Sequence, residues 1–417
     1  MSRLINTVGA PVEGEDRFWD READLDLLAQ RLDEGNHILL VAQRRMGKTS
    51  LLREIARRLS DRYACLFVDV QKHESPADVI AAIGGATRQH TNIWQHTKAT
   101  FGNIVKAAGD KIDSLQISEV TIHLRAGMAG DDWRAKGDAL FEALAQVEGG
   151  TILMLDEVPI LIDRMLKGEE HEIHAEGRRE AEVFLSWLRE NALRYAGRVR
   201  LVVSGSIGLT PVLHRAGLSA TANYLMPFEL PPWGKDTAVG FIRALAESYG
   251  LDLSAETCDY MVERIGCCIP HHVQAYFSLA ATYCRRNNKA EFSQADAEEV
   301  YLHDMLGPRG NTELAHYEER LLMVLGRELG TLAVGILTET AVEGSLTPQA
   351  AHAIAAEYVT DERSPEKSLL MVLEVLEHDG YLRRAKGGHE FISRLLRDWW
   401  RDRFASPYAK PERREKD

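Results

Sequence analysis

The eight residues Ala42-Gln43-Arg44-Arg45-Met46-Gly47-Lys48-Thr49 restrict this chain more than any other segment. An apolar run, Ile38 to Val41, precedes them, and Leu51, Leu52, Ile55 and Leu59 follow at helical spacing. The pattern G-x-x-x-x-G-K-[ST] between a strand and a helix is a phosphate-binding loop. Its backbone N–H groups and those of the helix start point at the phosphates. Lys48 supplies charge to the β- and γ-phosphates, and the Thr49 hydroxyl is a candidate Mg²⁺ ligand. Gly47 lets the backbone come close. The candidate nucleotide contacts are therefore Gln43, Arg44, Arg45, Met46, Gly47, Lys48, Thr49 and Ser50. Ala42 stands where the pattern has its first glycine. If that residue needs a positive φ, alanine is strained there.

A second segment, Ile152-Leu153-Met154-Leu155-Asp156-Glu157, is an apolar strand that ends in two carboxylates. In an open parallel sheet, ligands gather at the carboxyl ends of the strands. A Walker B element places its acids there, beside the loop. Asp156 is the candidate to hold Mg²⁺ through water, and Glu157 the candidate general base for the attacking water. Lys48 and Glu157 are thus the catalytic candidates. After the next apolar run comes Val202-Val203-Ser204-Gly205-Ser206. A polar side chain at that strand end can sense a γ-phosphate. Ser206 is the first choice and Ser204 the second; a plain Gly/Ser turn explains the segment equally well.

Taken in order, Phe18-Trp19-Asp20-Arg21-Glu22, the loop through Leu52, Leu155-Asp156-Glu157 and Ser204-Gly205-Ser206 resemble the archaeal-type ATPases of the STAND group, a branch of the AAA+ P-loop ATPases. Gly266 and Pro270 resemble that family's glycine–proline lid motif, which packs near the adenine. Asp20 replaces the usual glycine of the N-terminal motif. The resemblance covers nearly the whole chain except 90–135. It implies an α/β fold: a P-loop parallel-sheet ATPase core, an α-helical lid and a C-terminal winged helix. It also implies that ATP sits between core and lid, with Pro270 among its contacts, and that the protein hydrolyses ATP slowly and self-associates. No arginine finger is assignable; Arg215 is a candidate, though a surface arginine is the better choice.

The patterning divides the chain accordingly. At about 150 residues per domain, 417 residues make two to three domains. His37–Ala42, Tyr63–Val70, Thr151–Leu155, Val199–Val203 and, more weakly, Asn223–Leu230 read as buried strands separated by helices, the signature of a covered parallel sheet. The middle of the long stretch between the second and third strands, 98–130, has no clear pattern. Pro231-Pro232 ends the core (1–230). Helices over Asp236–Tyr249, Ala255–Ile265, His272–Arg286 and Gln294–Leu306 make the lid (231–307). The winged helix spans 308–406, with Gly387-Gly388 as a hairpin turn, and 407–417 is a charged tail.

Composition excludes several classes. Apolar residues are 45% and charged residues 27%, as in folded chains. No uninterrupted apolar run reaches about 18 residues, so no membrane span is expected. The N-terminus lacks a signal pattern, and five cysteines without a C-x-x-C suggest a cytoplasmic protein with free thiols. A net charge of −13 disfavours nucleic acid outside a local basic patch. The presumptive recognition helix, Pro365–His378, has Lys367 against Glu366, Glu374 and Glu377. DNA is therefore a lesser candidate partner than the chain itself or an effector protein. Cys267-Cys268-Ile269-Pro270-His271-His272 reads as a turn rather than a metal site, because adjacent side chains diverge. His171-Glu172-Ile173-His174 misses the spacing of a zinc motif. The leading reading is an ATP-binding, slowly hydrolysing switch that controls assembly. A non-hydrolysing scaffold and an ATP-dependent DNA-binding regulator are the alternatives, and Glu157 favours hydrolysis.

Overall fold

The computed structural model describes residues 4–12, 14, 17–102, 115–128, 132–168, 173–359 and 364–406. The charged tail, His171, Glu172 and much of the unpatterned 98–130 stretch lie outside the described residues. Two compact units emerge. The sheet unit is Arg21–Ala42 with Lys48–Leu230; the helical unit is Met1–Asp20, Gln43–Gly47 and Pro231–Asp417.

In the sheet unit, β1 (His37–Val41), β2 (Ala64–Asp69), β3 (Thr151–Asp156), β4 (Val199–Ser204) and β5 (Leu225–Glu229) form one sheet. Every pairing is parallel, in the order β2-β3-β4-β1-β5. All five expected strands are present, with ends shifted by one or two residues. Strands β3 and β4 are buried along their whole length, and apart from Arg200 and the polar residues at their ends they read as apolar runs. Strand β5 pairs with β1 alone, at the edge, and there Pro227 costs no ladder bond. The position of β4 between β1 and β3 matters most for the site. It aligns Ser204 with Leu40, at the end of the loop strand, and Val203 with Leu155.

Helices α1 (Glu22–Asp33), α2 (Lys48–Leu59), α3 (Pro76–Ala86), α4 (Thr91–Thr100), α5 (Ile117–Ala126), α6 (Asp132–Ala145), α7 (Val158–Lys167), α8 (Ala175–Arg194) and α9 (Leu209–Ala216) complete this unit. Part of the unpatterned stretch is thus helical. Helix α5 buries only Val120 and Leu124. It lies so close to α3 that a Cβ on Gly85 would overlap the Thr121 hydroxyl.

In the helical unit, α10 (Lys235–Tyr249), α11 (Ala255–Ile265), α12 (Pro270–Arg286) and α13 (Gln294–Val300) follow the expected pattern. Ser254 and Ser293 cap α11 and α13 through their side chains. Residues 4–19 belong to this unit: the Leu4 N–H donates to Ser248, the Asn6 N–H to the Tyr249 hydroxyl, and Trp19 meets Phe241 edge-on at 5.7 Å.

Helix α14 (Pro308–Glu343) is two helices joined at Gly326, whose φ of 73° and ψ of −177° no helix contains. Its portion Leu314–Glu343 is long and apolar enough to cross a membrane. Scattered polar residues interrupt every apolar run here without lowering the average. Leu332, Ala333, Ile336 and Leu337 are fully buried within the unit. Helices α15 (Pro348–Tyr358) and α16 (Pro365–His378), the antiparallel hairpin β6 (Leu382–Ala385) and β7 (Gly388–Phe391), and α17 (Arg394–Phe404) finish the chain. Trp399 and Trp400 close this core, and the Trp400 indole donates to Thr338.

Candidate functional site

Asp156 and Ser204 are the last residues of β3 and β4, and Glu157, Ser206 and the loop to α2 follow directly after the ends of β3, β4 and β1. Lys48 begins α2, nearly buried, and its ammonium donates to the Ala42 carbonyl at 3.0 Å across the loop. Thr49 Oγ1 donates to Asp156 Oδ2 at 3.0 Å. Asp156, buried at the end of β3, also accepts from Ser204 Oγ at 2.6 Å and from the Glu157 N–H at 3.1 Å, both on Oδ1. Thus Thr49, Asp156 and Ser204 form one chain of hydrogen bonds.

Glu157 has a left-handed backbone, φ 64° and ψ 26°, immediately before α7. A non-glycine residue there costs about 1 kcal/mol or more, so its surroundings must hold it. Two bonds do so: the Ser206 N–H and Ser206 Oγ both donate to Glu157 Oε2, at 2.7 and 2.8 Å. Gly205 permits this approach, because a Cβ would overlap the Pro159 ring at the start of α7. Sequence reasoning assigned Ser206 to a phosphate and missed its bond to Glu157. That partnership depends on β4 neighbouring β3, and nothing local encodes strand order.

The backbone of the loop departs from expectation. Among the described residues, the non-glycine positions with positive φ are Asp20, Arg21, Arg45, Glu157 and Asn288. Ala42 is not among them, so the lost glycine brings no strain there. The left-handed positions are instead Arg45 (φ 69°) and Gly47 (φ 87°). A Cβ on Gly47 would meet nothing within 4 Å. Backbone angle, not space, is what calls for glycine.

Gln43, Arg44, Arg45, Met46 and Gly47 are grouped with the helical unit, as is Pro270, the buried first residue of α12. Within that unit the Gln43 side chain lies against Gly380, where a Cβ would overlap it. Burial, and then the charges of Arg45 and Arg44, push His271 down to about 3. Burial, and then Arg320 and Arg45, also lower Arg44. Ser50 lies in the first turn of α2, half-buried.

Arg215 is not a surface arginine. Its guanidinium is nearly buried and pairs with Asp163 at 3.1 Å, while Asp163 also holds Lys167 at 2.9 Å. Among the described residues, no three His, Cys, Asp or Glu side chains are placed to hold a metal ion together. Cys267, Cys268, His271 and His272 are all buried.

No family profile matches the sequence, and no curated protein does. Solved structures do match. The Walker-type ATPase PABY2304 of Pyrococcus abyssi is 17% identical, with 93% of this chain and 97% of that one aligned at a TM-score of 0.58. The ORC2 protein of Aeropyrum pernix, solved in ADPNP–ADP complexes, is 12% identical, with 94% and 98% aligned at a TM-score of 0.51. The fold is that of the P-loop ATPases: a parallel five-stranded core followed by a largely helical C-terminal part.

Proposed function

We propose that this chain binds ATP with Mg²⁺, hydrolyses it slowly, and uses the nucleotide state to control assembly with itself or with an effector protein, as STAND-type ATPases do. One observation carries the reading. The Lys48–Thr49 helix start, the Asp156 carboxylate and the Ser206-bound Glu157 meet at the carboxyl edge of one parallel sheet. Thr49 and Asp156 are hard oxygen donors, a set suited to Mg²⁺ held mainly by water and phosphate oxygens. Their direct 3.0 Å contact marks the two atoms that would share the ion. When bound, Mg²⁺ neutralises charge on the phosphates during transfer.

The protein groups have the following roles. Lys48 exchanges its Ala42 carbonyl for a phosphate oxygen. Ser204 keeps Asp156 oriented through Oδ1. Ser206 fixes the Glu157 carboxylate through Oε2, and Glu157 takes a proton from the attacking water. Lys48→Ala tests the binding step. It should remove a charge-assisted contact worth about 1.5–3 kcal/mol, roughly ten- to hundredfold in affinity. Calorimetry with ATP and Mg²⁺ that finds equal affinity for the two proteins would reject the reading.

The order of the second half of α14, α15, α16, the hairpin and α17 supports reading this region as a winged helix. A DNA-binding role has little charge to work with. Arg383 pairs with Glu390 at 2.6 Å and Arg384 with Glu377 at 3.0 Å, so the hairpin arginines are compensated within the chain. Protein contact is the better reading for this region.

A further inference from the structure

Glu157 and Ser206 each stand just ahead of a helix. Glu157 precedes α7 directly, and Ser206 lies shortly before α9. The two segments meet at these heads, through the Ser206–Glu157 bonds and through Gly205 against the Pro159 ring. The helices meet again farther along. Arg215, in the last turn of α9, donates from Nη2 to Asp163 Oδ1 of α7 at 3.1 Å. Both side chains are almost wholly buried, at 11% and 12% exposure. The other carboxylate oxygen, Oδ2, accepts from Lys167 one turn on along α7, at 2.9 Å.

Lys167 thus gives Asp163 a counter-charge within α7 itself. What Arg215 adds is a directed tie between two helices. A buried ion pair is weak evidence for stability, and its best-attested use is to fix register. The burial of Val212 and Leu213 on α9 is non-directional and tolerates a small slip. A guanidinium–carboxylate bond has a set length and direction and does not. A slip matters at the heads. The Ser206 N–H belongs to the segment that enters α9, so any slide or turn of α9 against α7 moves it relative to Glu157 Oε2. Glu157 is also held in a left-handed backbone, which persists only where its surroundings over-determine it. A misplacement of about 1 Å, caused far from the reacting atoms, can cost roughly a hundredfold in rate.

We propose that Arg215 is a positioning residue for the base: its bond to Asp163 locks α9 to α7 and so keeps Ser206 on Glu157. This role rests on the hydrolysis reading above. It lies within one chain, in contrast to an arginine finger, which would reach the nucleotide of a neighbouring copy.

The test measures ATP turnover and the Michaelis constant of the full chain, with urea unfolding to establish that each variant is folded. Arg215→Met keeps an apolar stem, and Lys167 still partners Asp163. Turnover should fall at least about tenfold while the Michaelis constant stays within about twofold, and Arg215→Lys should recover part of the loss. Asp163→Asn should lose turnover in the same way. The double variant should lose no more than either single one, because both remove one bond. If Arg215→Met does not fold, Arg215→Lys carries the same split at smaller size. An equimolar mixture of Arg215→Met and Glu157→Gln should turn over no faster than the sum of its parts. Restored turnover in that mixture would assign Arg215 to a neighbour's nucleotide and overturn the proposal. So would full turnover by folded Arg215→Met, a change in the Michaelis constant alone, or an Asp163→Asn protein at least as fast as the parent. A parent chain that releases no phosphate from ATP fails at the hydrolysis reading itself. A parent that turns over beside indifferent variants fails the positioning role alone.

Discussion

Glu157 carries two unusual features, a left-handed backbone and a side chain held by both donors of Ser206. If it is the base, Glu157→Gln keeps the shape but cannot take a proton. ATP binding should persist while phosphate release falls by at least about a hundredfold. Unchanged phosphate release would assign the proton elsewhere. Ser206→Ala is subtler, since its N–H bond survives. The Michaelis constant for ATP should hold while turnover drops about tenfold, and Ser206→Thr should restore it. A drop in affinity alone would mean that Ser206 touches phosphate rather than positioning Glu157. His271 gives a pH prediction. Its folded value lies near 3, below the ordinary 6.5 of the unfolded chain. The unfolded state therefore binds the proton first. The contribution of His271 is whole above about pH 6.5 and fades as pH falls toward 3, by up to about 1.4 kcal/mol per pH unit. Urea unfolding between pH 7 and 5 should show a shallower loss for His271→Gln than for the parent. Lys48, Thr49, Asp156 and Glu157 were legible because each lies in a local pattern next to a strand. Ser206's hold on Glu157 was not, since it arises from a contact distant in sequence.

At the scale of elements, glycines mark where sequence reading succeeded and where it stopped. Gly387-Gly388 announced the β6–β7 hairpin, because a tight turn writes its requirement into adjacent residues. Gly326 gave no such signal. It lies among apolar residues at helical spacing, and only its backbone angles show that α14 breaks there. Gly85 likewise records a contact, with Thr121 of α5, from a segment whose own pattern is weak. Two substitutions measure these roles. Gly326→Ala puts a Cβ on a backbone that side chains rarely adopt and should cost about 1–3 kcal/mol by urea unfolding. An unchanged midpoint would show that the break relaxes to plain helix. Gly205→Ala has a different obstacle, the Pro159 ring rather than its own angle. It should move Ser206 away from Glu157 and lower turnover more than stability. The strands were readable because burial favours apolar runs, most fully in β3 and β4, which are buried along their whole length. Their order was not, because every strand of a parallel sheet looks alike in sequence.

At the scale of the molecule, the proposed switch predicts that ATP and ADP give different scattering profiles or masses for the Glu157→Gln protein. A ligand shifts such an equilibrium only by its difference in affinity for the two states. Indistinguishable profiles with ATP, ADP and no nucleotide would leave a scaffold. The chain also passes between its two units four times, at Asp20–Arg21, Ala42–Gln43, Gly47–Lys48 and Leu230–Pro231. Unit membership therefore does not follow sequence order, and cutting the polypeptide does not separate the units. A protease nick after Leu230 would leave Leu4, Asn6 and Trp19 on one fragment and their partners Ser248, Tyr249 and Phe241 on the other. The two fragments should therefore co-purify until denatured. Each made alone should be poorly soluble, and mixing them during refolding should restore a single cooperative particle.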